Sequence, residues 1–252
     1  MSAFSAVDGA AEPRRLITFL EQSAHGLAAM KHYMAVTHLL RRPAAPVLDL
    51  GCGAGHELTL LEDTALAGVG VDPSSVMLDA AGTRSGSPLV RARGEELPFA
   101  DGGFAGCWIE RVLMHVADPA ALIAEAVRCV QPNGLLTVFE PDWSSLAANG
   151  SPVPTEWVSI ARHPAIGSSV GGLLAAAKCS ILDRVEERSW WTFSDFERFT
   201  NLEQSLDRAV ASGKASRSEV DQWLAEQRRR AAVDDFRAEL VKVLWVATTP
   251  GD

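Results

Sequence analysis

The sequence is poor in basic residues and has no long hydrophobic run. It contains 23 Lys and Arg residues against 32 Asp and Glu residues, a formal net charge of -9. Sequence-independent binding to nucleic acid needs a basic face, so this charge argues against a nucleic-acid partner. No apolar stretch is long and uncharged enough to span a bilayer, and residues 1–15 lack the apolar core of a signal peptide. We therefore expect a cytoplasmic protein without a membrane span.

Cysteines are few and scattered. The four do not form a C-x-x-C pair or any spacing typical of a metal site; they are Cys52, Cys107, Cys129 and Cys179. Reduced thiols and the absence of a bound metal are the simple expectations. The length of 252 residues, with 47% hydrophobic and 22% charged residues, suits one large globular domain with insertions.

A glycine-rich turn follows the first apolar strand. The sequence VLDLGCGAG places Asp49 just before the turn and glycine at positions 51, 53 and 55. Glycine allows a sharp turn and a close approach of the backbone to a ligand. The stretch from His56 can begin a helix whose free N–H groups face that ligand.

A second strand, GVGVD, ends in Asp72. In open parallel sheets ligands bind at the carboxyl ends of the strands, where an acid can bind ribose hydroxyls. Dinucleotide enzymes use G-x-G-x-x-G, and His56 stands where the third glycine would be. The spacing therefore argues against a nicotinamide dinucleotide.

Strand-like and helix-like segments alternate from residue 46 to residue 140, which predicts a parallel sheet. We expect strands at 46–50, 68–72, 88–92, 104–109 and 135–140, and helices near 56–66, 74–84 and 118–130. Segments 181–193 and 239–249 look like two further strands, and the charged stretch 194–232 between them looks helical. The predicted organisation is an N-terminal helical cap (1–45, helix 13–40), a core (46–142) and substrate-side elements (143–252).

Five segments in chain order resemble one known family. They are VLDLGCGAG, VGVDPS, GEELPFADGGF, RVLMHVADP and CVQPNGL. Together they resemble the motifs of class I S-adenosylmethionine-dependent methyltransferases, in the small-molecule branch similar to ubiquinone and menaquinone biosynthesis enzymes. The resemblance covers residues 47–142. It implies an α/β, Rossmann-like, doubly wound sheet that is mostly parallel with an antiparallel last strand.

The resemblance also implies S-adenosylmethionine as cofactor and S-adenosylhomocysteine as product. Asp49 and the Gly51–Gly53 backbone would lie near the methionine end, and Asp72 would bind the ribose. Arg93 replaces the acid that the family usually has beside the adenine, so Glu95 is a substitute acceptor. The full set of expected cofactor residues is Asp49, Gly51, Cys52, Gly53, Asp72, Pro73, Met77, Arg93, Gly94, Glu95 and Glu110.

Several residues are candidates for a general base. His115 follows the fourth strand and histidine titrates near neutral pH, although it could instead bind only backbone. Glu140 and Asp142 at the end of the fifth strand come next, and His163 and His25 lie on substrate-side elements. Met114, next to His115, is a poor ligand for a hard cation, so we expect no metal.

The variable half is rich in tryptophan, and Trp143 directly follows Asp142. Trp143, His163 and Tyr33 are the expected substrate residues, and the 194–232 insertion either covers the site as a lid or packs against the sheet edge. We expect methyl transfer to an O, N or C atom of a small, apolar or aromatic metabolite of secondary or quinone metabolism, by a monomer or homodimer. The alternative is an S-adenosylmethionine-binding protein of the same fold that catalyses no transfer or another reaction.

Overall fold

The structure is a computed structural model that describes Asp8, residues 45–158 and residues 161–251. The helix predicted for 13–40, with His25 and Tyr33, lies outside the described residues. Within the described part, no helix has the length and hydropathy that a membrane crossing requires.

The predicted parallel sheet is confirmed. Its neighbours pair in parallel in the spatial order β3-β2-β1-β4-β5, so the carboxyl ends of these strands meet at one edge. The strands are β1 (Val47–Leu50), β2 (Gly68–Asp72), β3 (Leu89–Arg91), β4 (Phe104–Glu110) and β5 (Val130–Ala148).

Three helices connect these strands close to the predicted bounds. They are α1 (His56–Asp63), α2 (Ser75–Arg84) and α3 (Pro119–Cys129). Asp118 caps α3 by accepting from the backbone N–H groups of Ala120 and Ala121, at 3.0 Å each. A carboxylate at this position satisfies donors that have no partner within the helix and complements the helix dipole.

The antiparallel part of the sheet is also confirmed. Strand β8 (Ala238–Thr248) pairs antiparallel with both β5 and β7 (Ser180–Trp191), which forms the outer edge. The two-residue β6 (Ser151–Pro152) pairs with the end of β5. The sheet thus has the doubly wound, mostly parallel form that the sequence predicts.

Two elements differ from the prediction. Strand β5 continues past Pro141 to Ala148, because beyond Glu140 it pairs with β8, with a register shift between Asp142 and Ala147. Helix α4 (Ile166–Ala176) was not predicted from its glycine- and serine-rich sequence. It forms because Ile166, Val170 and Leu174 recur at helical spacing and are all buried.

The insertion between β7 and β8 is helical, as predicted, and the structure divides it into three helices. They are α5 (Phe193–Thr200), α6 (Leu202–Ala211) and α7 (Arg217–Ala232). Their aromatic residues join a cluster that we call the aromatic cluster: Trp143, Trp157, Trp191, Phe196, Trp223 and Phe236. The insertion therefore packs on the segment that follows Asp142, and its movement as a lid stays a prediction.

Helix α4 packs closely on β5 because Gly167 has no side chain at the contact. A Cβ at Gly167 would lie 2.9 Å from the backbone nitrogen of Asp142 and 2.9 Å from the carbonyl oxygen of Glu140. The carbonyl of Gly167 also accepts a 2.9 Å hydrogen bond from the indole of Trp245. By contrast, a Cβ at Gly172 on the same helix meets nothing within 4 Å.

These two glycines give a matched test. Gly167→Ala forces backbone against backbone, and overpacking of this kind costs about 1–3 kcal/mol. Gly172→Ala should stabilise by about 0.5–1 kcal/mol, because alanine is the better helix former. Urea unfolding of both variants measures the free energies. Equal effects of the two substitutions would contradict the close seating of α4 on β5.

Candidate active site

A cavity of about 370 Å³ opens at the carboxyl ends of the parallel strands. Its walls come from the segments that follow β1, β2, β3 and β4, together with Arg162, from the loop that precedes α4. The place agrees with the rule that ligands of open α/β sheets bind outside the carboxyl ends of the strands. The volume lies within the range of small-molecule sites.

The glycine turn has the backbone that its sequence predicts. Gly51, Gly53 and Gly55 have φ values of 80°, 50° and 80°, a region in which side chains are strained. A Cβ at Gly51 would also lie 2.3 Å from a methyl group of Val112, in the loop after β4. The turn and that loop can therefore approach each other only with glycine at position 51.

Asp72 links two of the loops around the cavity. Its carboxylate accepts from the backbone N–H of Gly53 at 3.0 Å and from that of Ser74 at 2.9 Å. The side chain lines the cavity and is buried, and this burial raises the pKa of Asp72 above its usual value. The carboxylate thus orients the glycine turn and retains acceptor capacity toward the cavity.

Nine of the eleven predicted cofactor residues line this one cavity: Gly51, Gly53, Asp72, Pro73, Met77, Arg93, Gly94, Glu95 and Glu110. Asp49 and Cys52 do not. Asp49 is buried in β1, and the Cys52 side chain belongs to the apolar core below the turn, where burial raises its pKa.

Asp8 is a residue at this edge that sequence reasoning missed. Its carboxylate contacts the start of α2, 2.5 Å from the Ser74 hydroxyl oxygen and 3.2 Å from the backbone nitrogens of Ser75 and Val76. An Arg91 guanidinium nitrogen lies 3.0 Å away. These hydrogen bonds, the one from Ser74 foremost, lower the pKa of Asp8 to about 2. No local pattern indicates a contact between residues so far apart in the chain.

The buried carboxylate of Glu140 holds the loop that follows β4. Its Oε1 atom accepts from the backbone N–H groups of Val112 and Leu113, at 2.7 and 2.6 Å. The side chain is fully buried, and this burial raises the pKa of Glu140 to about 8 despite the hydrogen bonds. Glu140 does not line the cavity, so the geometry gives it a positioning role and does not support the predicted role as a base.

His115 and Asp142, two further candidates for the base, differ in whether they line the cavity. His115 lines the cavity, but burial, and secondarily the charge of Arg111, lowers its pKa to about 3. The Asp142 carboxylate accepts from the hydroxyl and the backbone N–H of Ser144 and is not among the lining residues. Of the base candidates among the described residues, the structure brings only His115 into the cavity.

The predicted substrate residues Trp143 and His163 stand behind the cavity wall. The indole N–H of Trp143 contacts the sulfur of Met114 at 3.3 Å, and Met114 lines the cavity. Nε2 of His163 lies 3.1 Å from the carbonyl oxygen of Val116. Both side chains therefore support lining residues and do not line the cavity themselves.

Sequence reasoning also missed two arginines that line the cavity, Arg111 and Arg162. Arg111 has a left-handed backbone (φ 56°), and its Nε lies 3.3 Å from Oε1 of Glu110. The backbone N–H of Arg162 donates to the carbonyl of Met114 at 2.8 Å. No sequence pattern predicts that an arginine after a strand has a left-handed backbone, or that an arginine in a loop lines a cavity.

The lining residues fit S-adenosylmethionine. Asp72 offers a carboxylate for ribose hydroxyls, and the apolar side chains of Met77 and Leu122 can contact a flat adenine ring. Glu95 and Glu110 place negative charge in a cavity that would hold a sulfonium cation. In the part of the chain that the structure describes, no three His, Cys, Asp or Glu side chains converge as metal ligands.

The buried Glu140 provides a stability test. Glu140→Ala leaves the N–H groups of Val112 and Leu113 without an acceptor and should cost about 1–3 kcal/mol for each group. Glu140→Gln keeps an acceptor oxygen and should cost much less at pH 7. Thermal or urea unfolding of both variants compares the two losses.

The same residue should make stability depend on pH. The pKa of Glu140 is about 8 in the folded protein and near 4.5 otherwise, so the folded state keeps a proton that the unfolded state loses. Stability should therefore fall as the pH rises from roughly 5 to 8, and Glu140→Gln should remove this part of the slope. An unchanged slope in the variant would show that Glu140 is ionised in the folded protein.

Comparison with known proteins agrees with the site. A family model described as a methyltransferase domain matches residues 48–138. An uncharacterised 37.1 kDa protein in transposon TN4556 of Streptomyces fradiae is 32% identical over 93% of this chain and 72% of its own length.

Two relatives named as methyltransferases match a part of the chain. An uncharacterised methyltransferase of Mycolicibacterium gilvum is 39% identical over 38% of this chain and 39% of its own length. A demethylmenaquinone methyltransferase of Corynebacterium kroppenstedtii is 39% identical over 39% of this chain and 43% of its own length. This chain therefore matches about two fifths of the length of these two relatives.

Solved structures share the fold across most of the chain. A protein from Bacillus halodurans C-125 has a TM-score of 0.61, with 17% identity over 86% of this chain and 99% of that one. A geranyl diphosphate methyltransferase bound to S-adenosylmethionine has a TM-score of 0.54, with 17% identity over 98% and 94%. The [4+2]-cyclase SpnF has a TM-score of 0.55, with 21% identity over 88% and 81%. With these matches and the cofactor residues gathered in one cavity, the chain belongs to the class I S-adenosylmethionine-dependent methyltransferases.

Proposed function

We propose that the protein transfers the methyl group of S-adenosylmethionine to a small organic acceptor bound in the same cavity. One observation carries this proposal. The cavity that contains nine predicted cofactor residues continues along the loop after β4 to Met114, Val116 and Arg162. A wall beyond the cofactor residues is what a bound acceptor requires.

The residues divide the work by position. Asp72 would bind the ribose, the backbone of the turn at Gly51 and Gly53 the methionine part, and Met77 and Gly94 the adenine. The bound cofactor supplies a methyl group that is already a strong electrophile. The chain then has to hold an acceptor atom in line with that group and exclude water, and such positioning is worth up to about 7–11 kcal/mol in the best cases.

The proposal includes no strong general base. His115 is the base candidate that lines the cavity, and its pKa of about 3 makes it a poor acceptor for a proton near neutral pH. The carboxylates of Glu140 and Asp142 contact backbone and the Ser144 hydroxyl. This supports an acceptor whose nucleophilic atom does not need to lose a proton to a side chain.

A second candidate function is cofactor binding with another reaction or none. The low pKa of His115, which makes it a poor proton acceptor, supports this second function. The [4+2]-cyclase SpnF also shares this fold. The Corynebacterium relative acts, by its name, on demethylmenaquinone, but its match covers only 39% of this chain. A quinone carbon as acceptor is therefore a weaker proposal than a heteroatom.

Asp72→Asn tests cofactor binding. The substitution removes the charge from the group proposed to bind the ribose, and hydrogen bonds to a charged group are worth about 1.5–3 kcal/mol. Affinity for S-adenosylmethionine, measured by calorimetry, should fall roughly tenfold or more. Asp79→Asn, at an exposed position on α2, is the matched control and should bind as the unaltered protein does.

Calorimetry also decides between cofactors. The unaltered protein should bind S-adenosylmethionine and S-adenosylhomocysteine and should not bind a nicotinamide dinucleotide. Equal affinities of Asp72→Asn and Asp79→Asn for S-adenosylmethionine would refute the assignment of Asp72. A screen of small acceptors with methyl-labelled cofactor separates the two candidate functions, because only a methyltransferase moves the label.

A further inference from the structure

We propose that the acceptor is a small carboxylic acid, that its carboxylate oxygen receives the methyl group, and that Arg162 binds this carboxylate. The inference rests on the proposed function and specifies its substrate class. Three features of the cavity carry it: the distribution of charge along its walls, the fixed position of Arg162, and the absence of a lining carboxylate near that arginine among the described residues.

Acidic and basic side chains are unequally distributed in the cavity. Among the described residues three carboxylates line it, those of Asp72, Glu95 and Glu110, and they belong to the segments at the ends of β2, β3 and β4, where the predicted cofactor residues lie. Arg93 pairs with Glu95 at 3.3 Å, and Arg111 with Glu110 at 3.3 Å. The positive charges on the cofactor side are therefore balanced by neighbouring carboxylates.

Arg162 is different. It lines the same cavity, and no carboxylate of the described residues lies within ion-pair distance of its guanidinium group. A guanidinium presents several N–H donors in a planar arrangement that matches a carboxylate with two parallel hydrogen bonds. A ligand in this part of the cavity would therefore gain most from an anionic, planar group.

Hydrogen bonds to the loop after β4 hold the backbone of Arg162 and its neighbour His163. The N–H of Arg162 donates to the Met114 carbonyl at 2.8 Å, and the neighbouring N–H of His163 lies 3.3 Å from the same oxygen. The ring of His163 contacts the Val116 carbonyl at 3.1 Å. The segment then enters α4, which is seated on β5 at Gly167. The backbone of Arg162 thus lies against the loop that contains Met114 and Val116, and its side chain lines the same cavity.

Other classes of acceptor fit the charges that line the cavity less well, because they carry a proton that a base would have to remove or a positive charge. An alcohol or an ordinary phenol is neutral near pH 7 and would need a base, and an amine is protonated there and would be repelled by Arg162. A carboxylic acid is ionised above roughly pH 5 and needs no base. The apolar lining at Val112, Met114 and Val116 would contact the rest of such an acid.

The proposed step is balanced without a base. A lone pair of the carboxylate oxygen forms the new bond to the methyl carbon as the bond from that carbon to sulfur breaks. The electron pair of the broken bond remains on sulfur, so the sulfonium becomes a neutral thioether. The products are a methyl ester and S-adenosylhomocysteine, and no proton leaves the acceptor.

The test uses pairs of acceptors that differ only in charge. Aliphatic and aromatic carboxylic acids and their primary amides are incubated with the protein and methyl-labelled cofactor. We expect label on the acids and not on the amides, and we expect mild alkali to release it as volatile methanol, because methyl esters hydrolyse there. Methyl groups on nitrogen, carbon or an ether oxygen stay attached under this treatment.

Variants then test Arg162 directly. Arg162→Gln should raise the KM for the acid about ten- to a hundredfold, the value of one or two lost charge-assisted hydrogen bonds, and should leave the affinity for S-adenosylmethionine unchanged. Arg162→Lys should recover part of the loss. Arg229→Gln, on the exposed face of α7, is the control. Calorimetric binding of the acid to the protein filled with S-adenosylhomocysteine gives a readout that does not depend on turnover.

A pH profile adds an independent check. The ionisable groups that line the cavity are His115 and Arg162 on the proposed acceptor side and Asp72, Arg93, Glu95, Glu110 and Arg111 on the cofactor side. The pKa of His115 is about 3, so no group that acts as a base should titrate in the working range. We expect kcat/KM for the acid to be flat from roughly pH 6 to 8.

The outcomes separate this inference from the proposed function. Alkali-stable label, transfer to amides as fast as to acids, or equal KM values for Arg162→Gln and Arg229→Gln would overturn the carboxylate inference while methyl transfer stands. A bound cofactor with no transfer to any acid, amide, phenol or amine would count against methyl transfer itself, and the inference would fall with it.

Discussion

The backbone of the loop after β4 has to find hydrogen-bond partners in a buried place, and the carboxylate of Glu140 supplies them. Buried N–H groups without partners are costly, so this one side chain fixes the path of residues 112–114. The loop then supports its neighbours. The side chain of Val112 leaves no space for a Cβ at position 51, so only glycine fits there. The carbonyl of Met114 accepts a hydrogen bond from the backbone of Arg162, and the sulfur of Met114 contacts Trp143 of the aromatic cluster.

The lining residues of the cavity are positioned in two ways, some by the ends of the strands and others by hydrogen bonds between loops. On the proposed cofactor side the strands themselves place the lining groups, because Asp72, Gly94 and Glu110 lie at or just after the carboxyl ends of parallel strands. On the proposed acceptor side the lining groups Met114, Val116 and Arg162 lie on loops that are joined by hydrogen bonds between residues far apart in the chain. This difference explains how the fold can keep one cofactor site and vary the acceptor, since loops change without disturbing the sheet.

The sequence was sufficient for the parts of the structure that follow from local rules. The glycine turn, the alternation of strands and helices, and the acid at the end of β2 each have a spacing that sequence reasoning can recognise. It was not sufficient for α4, whose glycines and serines hide a buried face, or for the extension of β5, which depends on pairing with β8. The sequence also placed Glu140 and Asp142 near the sheet edge that carries the cavity, but it could not show that their carboxylates contact backbone groups and Ser144. The place of Arg162 in the cavity depends on the tertiary contact of its loop with the loop after β4, which no local sequence pattern indicates.

The central claim is that the cavity at the strand ends binds S-adenosylmethionine through Asp72 and leaves its far wall to an acceptor. A crystal structure of the protein with S-adenosylhomocysteine tests this directly. We predict both ribose hydroxyls within hydrogen-bond distance of the Asp72 carboxylate, the adenine beside Met77 and Gly94, and space remaining between the sulfur and Arg162. A ligand bound elsewhere, or one whose sulfur faces away from Met114 and Arg162, would contradict the account.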